Sequence, residues 1–583
     1  MTTTFNYTTM TSDVKRIPYG ISDFKQLRRN NFYYVDKTMF LPRMEQAGNF
    51  LFFIRPRRFG KSLFLNMLSA YYDVEGQQEW DELFGGLFIH EHPTRERGTY
   101  QVLKLDFSQA GGTLETLYEN FGTYCCAQLD RFVIKYERFY EPGFKEWILG
   151  MKNFNAKLDN ICSAARQLGC RLYLIVDEYD NFTNDILAEH GERIYHSLTH
   201  ATGFYRDLFK KFKPNFDRIL MLGVSPVTMN DLTSGYNIAL PITMDPDFNM
   251  MLGFSEAEVR ELIGYYRSVG AVSQTADELI DDMRPWYDNY CFAEESLSTD
   301  PKMFNSDMVL YYLNAVIKSG KRPTQIVDPN TLTDYKKLKK LISLDGTGSY
   351  RAGIINRIAE QGYIIGRVEE SFPAERLTDQ SLFVSLLYYY GMLTIGDVYG
   401  ARLKLIIPNN NVRQQYYGYL LEEYQRLHPL DVSQLADCYD QAALDGEWRP
   451  LMDYVGRAYH DATAVRSLIE GERNLQGFMN AYLTLTPYWL VQPETELAHG
   501  YCDFFLMPDL SRYPMVQHSY IVELKYLKQD ATEQEAQTQW QEAVEQIRRY
   551  AQDRRVAGYI GHTRLHLVIA QVRGYTWQRV EEI

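Results

Sequence analysis

Two groups of residues in this chain have the types and spacing that phosphoryl chemistry uses. The first is Arg57-Arg58-Phe59-Gly60-Lys61-Ser62, with Asp177-Glu178 well downstream. Backbone N–H groups of such a loop, together with the N-terminus of the helix that follows, can hold phosphates. Lys61 would reach the β and γ oxygens, and the Ser62 hydroxyl would ligate Mg2+. Asp177 suits Mg2+ ligation through water, and Glu178 suits polarising an attacking water. The usual pattern GxxxxGK[ST] begins with glycine, where this chain has Arg55. Arg57 and Arg58 carry guanidinium forks that fit phosphates or a neighbouring subunit, and pairing with surface acids is the plainer alternative.

The second group lies late in the chain: Asp503, then Glu523-x-Lys525, then Gln546-x-x-x-Tyr550. Positions 523 and 525 point to the same side of a strand, so two adjacent strands would gather Asp503, Glu523 and Lys525. Two carboxylates can hold a divalent metal that activates water and stabilises a phosphodiester transition state, while the ammonium orients the nucleophile. Gln546 and Tyr550 share one helical face at i and i+4. Glu472, on an expected helix before the first strand, is an upstream acid for the same metal, with Glu494 and Glu496 as competitors. An amphipathic helix that merely packs would also account for Gln546 and Tyr550.

The elements that must position these groups can be read from the apolar pattern. Asn49 to Ile54, Gln101 to Phe107, Arg171 to Val176 and Arg218 to Val224 are short, consecutive apolar runs separated by helical stretches. Such runs are strands covered on both faces of a parallel sheet, which predicts a doubly wound α/β domain over roughly 17–245. From Gly253 the pattern turns helical, giving a lid over 246–345. Ser381 to Tyr390 followed by short strands at Met392 to Ile395 and Arg402 to Ile407 has the outline of a winged helix within a helical linker over 346–460. The segment 461–583 returns to strands at Tyr501 to Met507, Ser519 to Leu524 and Arg564 to Ala570, with a helix near Glu533 to Gln552. It reads as a second α/β unit.

Bulk properties bound the function. The 583 residues are 45% hydrophobic and 14% aromatic, which excludes a disordered tail. The charge of −14 excludes a nonspecific nucleic-acid coat, so any polyanion must be held locally. Basic residues do cluster between Phe24 and Lys61 and again at Arg548, Arg549, Arg554, Arg555 and Arg564. Solvated helix faces explain most such clusters. Seven cysteines without a CxxC point to a reducing compartment, and the absence of a signal-like or membrane-length apolar run points to a cytoplasmic protein with no membrane partner.

At this point the sequence resembles the bacterial AAA-ATPase-like family, whose members carry RPRRFGKS in place of the ordinary loop. The resemblance extends to Ile17 to Phe24, Tyr34 to Thr38, Val176 to Asp180, Gly253-Phe254-Ser255 and Trp286-Tyr287-Asp288. It implies ATP and Mg2+ at Gly60, Lys61, Ser62 and Asp177, with Arg55 as a family trait. Ser225 falls near a sensor position, although Leu222 stands where a polar residue is expected. The C-terminal pattern resembles the PD-(D/E)xK nuclease superfamily, in particular its QxxxY subgroup, with Mg2+ or Mn2+ as cofactor. Gly500-Tyr501-Cys502-Asp503 lacks the arginine of the usual Gly-Arg-x-Asp. The combined expectation is an α/β ATPase joined to a metal-dependent nuclease acting on nucleic acid, DNA foremost, with homo-oligomeric assembly open. The alternative is a nucleotide-controlled switch whose nuclease-like domain binds partners without cutting.

Overall fold

A computed structural model describes residues 14–109, 116–180, 204–226, 239–299, 302–323, 325–328, 349–370, 372, 376, 379–427, 432–461, 472–497, 500–510 and 512–583. The protein is a mixed α/β chain with two compact units. One comprises residues 1–348 and 365–410, the other 349–364 and 411–583. The expected linker over 346–460 is thus divided between them. Among the described residues no helix is long and apolar enough to cross a membrane.

The first unit is built on a parallel sheet of β1 (Phe50–Ile54), β2 (Tyr100–Asp106), β3 (Arg171–Asp177), β4 (Arg218–Gly223) and β5 (Leu240–Pro241), in the order β2-β3-β4-β1-β5. The four apolar runs of the sequence become β1 to β4, and the two-residue β5 is too short to leave a periodic signal. Every residue of β4 is buried, as the reading of strands covered on both faces requires. Helix α1 (Lys61–Tyr72) follows β1 directly and buries Phe64, Leu65, Met67, Leu68 and Tyr71, so the loop between them is pinned at both ends.

Beyond the sheet come α2 (Glu256–Ser268), α3 (Ala276–Tyr287) and α4 (Ser306–Ser319). Their starts are chemically specified: Ser255 with Glu258 and Thr275 with Glu278 form capping boxes, and the Asn305 side chain accepts from Met308 N–H. Lys37 ties the N-terminal segment to α2, with its Nζ 2.6 Å from Glu258 Oε1 and donating to Met250 O at 3.0 Å.

Helix α5 (Phe383–Tyr389) and the antiparallel hairpin β6 (Thr394–Tyr399) and β7 (Arg402–Ile406) occupy the place of the expected winged helix. All seven residues of α5 are buried, so this helix presents no face to a nucleic acid. The first hairpin strand begins later than the sequence pattern suggested because Gly391, at φ +75°, turns the chain after α5.

The second unit carries α6 (Glu472–Leu483) and a five-stranded sheet of β8 (Trp489–Leu497), β9 (Gly500–Pro508), β10 (His518–Leu527), β11 (Arg564–Arg573) and β12 (Thr576–Glu582) in sequence order. β10 and β11 are parallel, connected through α7 (Glu533–Ala551) and α8 (Arg554–Ile560), and the other neighbours are antiparallel. The outer strands β8 and β12 escaped the sequence reading. Helix α7 starts at a Thr532–Glu535 capping box and buries Ala536, Trp540, Ala543, Ile547 and Tyr550. That stripe packs with Phe505, Ile521 and Ile569 of the sheet and fixes which face of α7 meets the carboxylates.

Candidate nucleotide and metal sites

The loop after β1 depends on two left-handed residues, Arg58 at φ +68° and Gly60 at φ +88°. Gly60 precedes α1, which places Lys61 and Ser62 in its first turn. Lys61 Nζ donates to Arg55 O at 2.9 Å and Pro56 O at 2.8 Å. Burial lowers its pKa to about 8, against the opposing pull of Glu178, Asp177 and Asp180. The Ser62 hydroxyl donates to Asp177 Oδ2 at 2.9 Å. Burial raises the Asp177 carboxyl pKa, while Lys104 and the Ser62 hydrogen bond lower it.

β4 runs between β1 and β3, so its end lies between the loop and Asp177. Ser225, just past β4, is fully buried, and its N–H donates to Asp180 at 2.7 Å. The β2–β3 register sets Asp106 directly beside Asp177. The sequence offered a signal for that second acid, since one apolar run carries Asp106 next to its end and the other is followed directly by Asp177. A hydroxyl and a carboxylate in contact, beside another carboxylate, form a hard oxygen donor set that fits Mg2+.

Arg55 shows why the missing glycine is tolerated. Its guanidinium is buried between Phe53 and Phe292, 4.2 and 4.1 Å from the ring centroids. It donates to Ile54 O, Thr243 O and Phe248 O, so it braces the end of β1. Desolvation lowers its pKa to about 9. The Phe59 ring packs edge-on to Tyr290 at 5.0 Å, and its carbonyl accepts from Gly253 N–H at 3.1 Å. Arg58 pairs with Asp307 Oδ2 at 2.9 Å and stands 3.6 Å from Asp328, the acid pairing named above as the plainer alternative.

A cavity of about 400 Å3 opens at this loop, with Arg57, Arg58, Phe59, Gly60, Lys61, Ser62 and Glu178 in its wall. Its remaining wall is largely apolar and includes Ile21, Val35, Leu252, Phe254 and Leu262. A polar phosphate end and an apolar end of that size suit a nucleotide. Glu178 has its pKa raised, mainly by burial, against the pull of Arg57 and Lys61.

In the second unit, β9 and β10 pair Phe504 with Val522, which brings Asp503 alongside Glu523. Leu524 N–H donates to Asp503 Oδ2 at 2.7 Å. Lys525 Nζ donates to Glu523 Oε1 at 2.7 Å. Glu523 is 1% exposed, and its Oε2 is buried without a hydrogen-bond partner. Burial and the nearby Asp503 push the Glu523 carboxyl up to about 7, with Lys525 opposing. A buried carboxylate oxygen with no donor is costly unless something cationic meets it, so Asp503 and Glu523 fit a divalent cation. Among the described residues no three acidic, His or Cys side chains form a metal cluster. Glu472 begins α6, and its side chain, like those of Glu494 and Glu496 on β8, lies outside the described residues.

Gln546 Nε2 donates to the Tyr550 hydroxyl, and the pKa of the buried Tyr550 is raised by burial and by the charges of Glu523 and Asp503, with the Gln546 hydrogen bond opposing. Sequence reasoning missed Gln476, one helical turn after Glu472, whose amide donates to Asp503 Oδ1. Its neighbours Leu475, Phe478 and Met479 are all buried, and with Asn474 and Asn480 on the same helix no local signal singled this amide out.

Comparison with known proteins finds a family match in each half of the chain. Residues 18–233 match the family described as "Predicted AAA-ATPase", and residues 470–582 match the PD-(D/E)XK nuclease superfamily. The chain is also similar to "Uncharacterized protein in vnfD 5'region" of Azotobacter chroococcum mcd 1, with 28% identity over 299 residues, 48% of this chain and 50% of that protein. The chain thus spans about half the length of the curated relative it matches. It joins an AAA-ATPase-like domain over residues 18–233 to a PD-(D/E)XK nuclease superfamily domain over residues 470–582.

Proposed function

We propose that the chain is an ATP-hydrolysing, metal-dependent nuclease in which the nucleotide domain controls or powers phosphodiester cleavage of DNA. The carrying observation is the coexistence in one chain of the Ser62–Asp177 contact at a nucleotide-sized cavity and the Asp503–Glu523–Lys525 group with its unpartnered buried oxygen. In this reading the backbone from Arg57 to Gly60 and the Lys61 ammonium hold the phosphates of ATP. Ser62 and Asp177 hold Mg2+, and Glu178 polarises the attacking water. Asp503 and Glu523, with Glu472 as accessory acid, hold Mg2+ or Mn2+, which when bound supplies an activated water and charge stabilisation. Lys525 orients the nucleophile, and Gln546 and Tyr550 act on the metal site or the substrate backbone. The basic residues Arg548, Arg549 and Arg554, exposed along α7 and α8, support a polyanion path beside that site. A cytoplasmic setting and homo-oligomeric assembly fit the same reading.

The test is incubation of the purified protein with single-stranded DNA, double-stranded DNA and RNA, with and without ATP, and with Mg2+ or Mn2+. Metal-dependent cleavage altered by ATP is the expected result. The engagement of both Asp503 oxygens, by Gln476 and by Leu524 N–H, favours the switch reading in which the domain binds without cutting. Intact ATPase activity with no cleavage under any condition would select that alternative.

A further inference from the structure

The turn after Asp177 is held by one backbone hydrogen bond to β4 and by the side chains of Tyr179 and Asp180. The β3–β4 ladder ends at Val176 with Met221. Past that pair, Tyr179 N–H donates to Leu222 O at 3.3 Å, and the Tyr179 hydroxyl donates to Ser225 O. The Tyr179 ring meets Phe52 of β1 edge-on at 5.0 Å. The Asp180 carboxylate accepts from Val224 N–H at 3.2 Å and from Ser225 N–H at 2.7 Å. Tyr179 and Asp180 are 0% and 2% exposed. A Cβ at Gly223 would overlap the Tyr179 ring and stand 2.6 Å from Asp180 Oδ1, so the fit requires glycine there.

One residue absorbs the turn. Glu178 sits at φ +46°, a conformation that a side chain with a Cβ disfavours and that persists only where its surroundings enforce it. Glu178 lines the nucleotide cavity, while the Asp180 carboxylate bonds the backbone at the end of β4. The same strand end touches the phosphate loop, because Arg55 N–H donates to Gly223 O at 3.3 Å.

We infer that Tyr179, Asp180 and Gly223 form a clamp that positions the Glu178 carboxylate and ties it to the end of β4, with Asp180 as its central positioning residue. The inference rests on the nucleotide-hydrolase reading. Asp180 fastens the segment that carries Glu178 to the backbone of Val224 and Ser225, and a misplacement of about 1 Å at a reacting group can cost about 100-fold in rate.

The test compares nucleotide affinity, read with a fluorescent ATP analogue, and single-turnover ATP hydrolysis. The variants are Asp180→Ala, Asp180→Asn and Gly223→Ala, with Asp180→Ala also placed in a Glu178→Gln background. Asp180→Ala is expected to slow hydrolysis about 100-fold with affinity held within about twofold. Asp180→Asn, which keeps one acceptor oxygen, restores most of the rate, and Gly223→Ala reproduces the loss if Asp180→Ala does not fold. With Glu178→Gln present, Asp180→Ala adds no further loss. Equal losses of affinity and rate, or full additivity with Glu178→Gln, overturn the clamp. Lys61→Ala, run alongside, separates the two ideas. Unchanged hydrolysis in that variant removes the nucleotide-site assignment and the clamp's role with it, whereas lost hydrolysis with a normal Asp180→Ala rate removes the clamp alone.

Discussion

The Ser62 hydroxyl and Asp177 Oδ2 stand 2.9 Å apart although 115 residues separate them in the chain. The contact depends on strand order, because β1 and β3 flank β4, and parallel strands deliver their C-terminal ends to one edge of the sheet. A loop that lacks the usual leading glycine is therefore held by its surroundings. Arg55 is locked below it, Phe59 is locked beside it, and the hydroxyl and carboxylate are left facing each other.

Lys61→Ala should abolish ATP hydrolysis, and Asp177→Asn should lower it by about 100-fold or more, with nuclease-domain chemistry untouched. Ser62→Ala should weaken nucleotide binding in the presence of Mg2+ more than in its absence. Steady-state phosphate release and binding titrations with and without Mg2+ check these outcomes. Unchanged hydrolysis in Lys61→Ala would sink the nucleotide-site assignment.

Glu523→Gln should abolish metal-dependent cleavage while ATP hydrolysis continues, and Lys525→Ala should do the same. Because Glu523 is buried with one oxygen unpartnered, the glutamine should also raise the thermal stability of the metal-free protein and remove any upward Tm shift caused by Mn2+. A Mn2+ shift that survives in Glu523→Gln would place the ion elsewhere.

What the sequence made legible follows from local chemistry. Consecutive apolar runs marked β1 to β4, the change of pattern at Gly253 marked the helices that follow the sheet, and Glu523-x-Lys525 marked one face of a strand. Relationships that exist only in register or tertiary packing stayed hidden. Asp106 becomes a neighbour of Asp177 through strand pairing, Gln476 reaches Asp503 across a helix–strand interface, and the burial of Arg55 depends on Phe292 far along the chain. The outer strand β12 escaped because its residues alternate between exposed and part-buried, with Val580 alone buried.

Gly456→Ala should destabilise the nuclease unit selectively. A Cβ there would overlap the Trp577 indole, whose Nε1 donates to Met452 O at 2.9 Å and so fastens β12 to the helix Arg449–Asp461. Overpacking of this kind costs about 1–3 kcal/mol. A lowered unfolding transition is expected in calorimetry, with ATP hydrolysis preserved below it. Wild-type unfolding in this variant would mean that the indole has room to move.

Asp288 gives a pH dependence with a definite sign. Its side chain is 2% exposed, Oδ1 has no hydrogen-bond partner, and Arg284 reaches only Oδ2, at 3.3 Å. Burial therefore raises its pKa from the ordinary 3.8 to about 6, so the folded protein binds the proton more tightly than the unfolded chain does. Its contribution is most favourable below pH 3.8, falls as pH rises toward about 6, and is a full cost above that. Asp288→Asn removes the titration, so the stability of the variant relative to wild type should grow by up to about 3 kcal/mol between pH 4 and pH 7. Thermal melts of both proteins across that range check it, since every other titrating group cancels in the difference. A gap that stays flat with pH would show that the Asp288 carboxylate is better solvated in the folded protein than its burial implies.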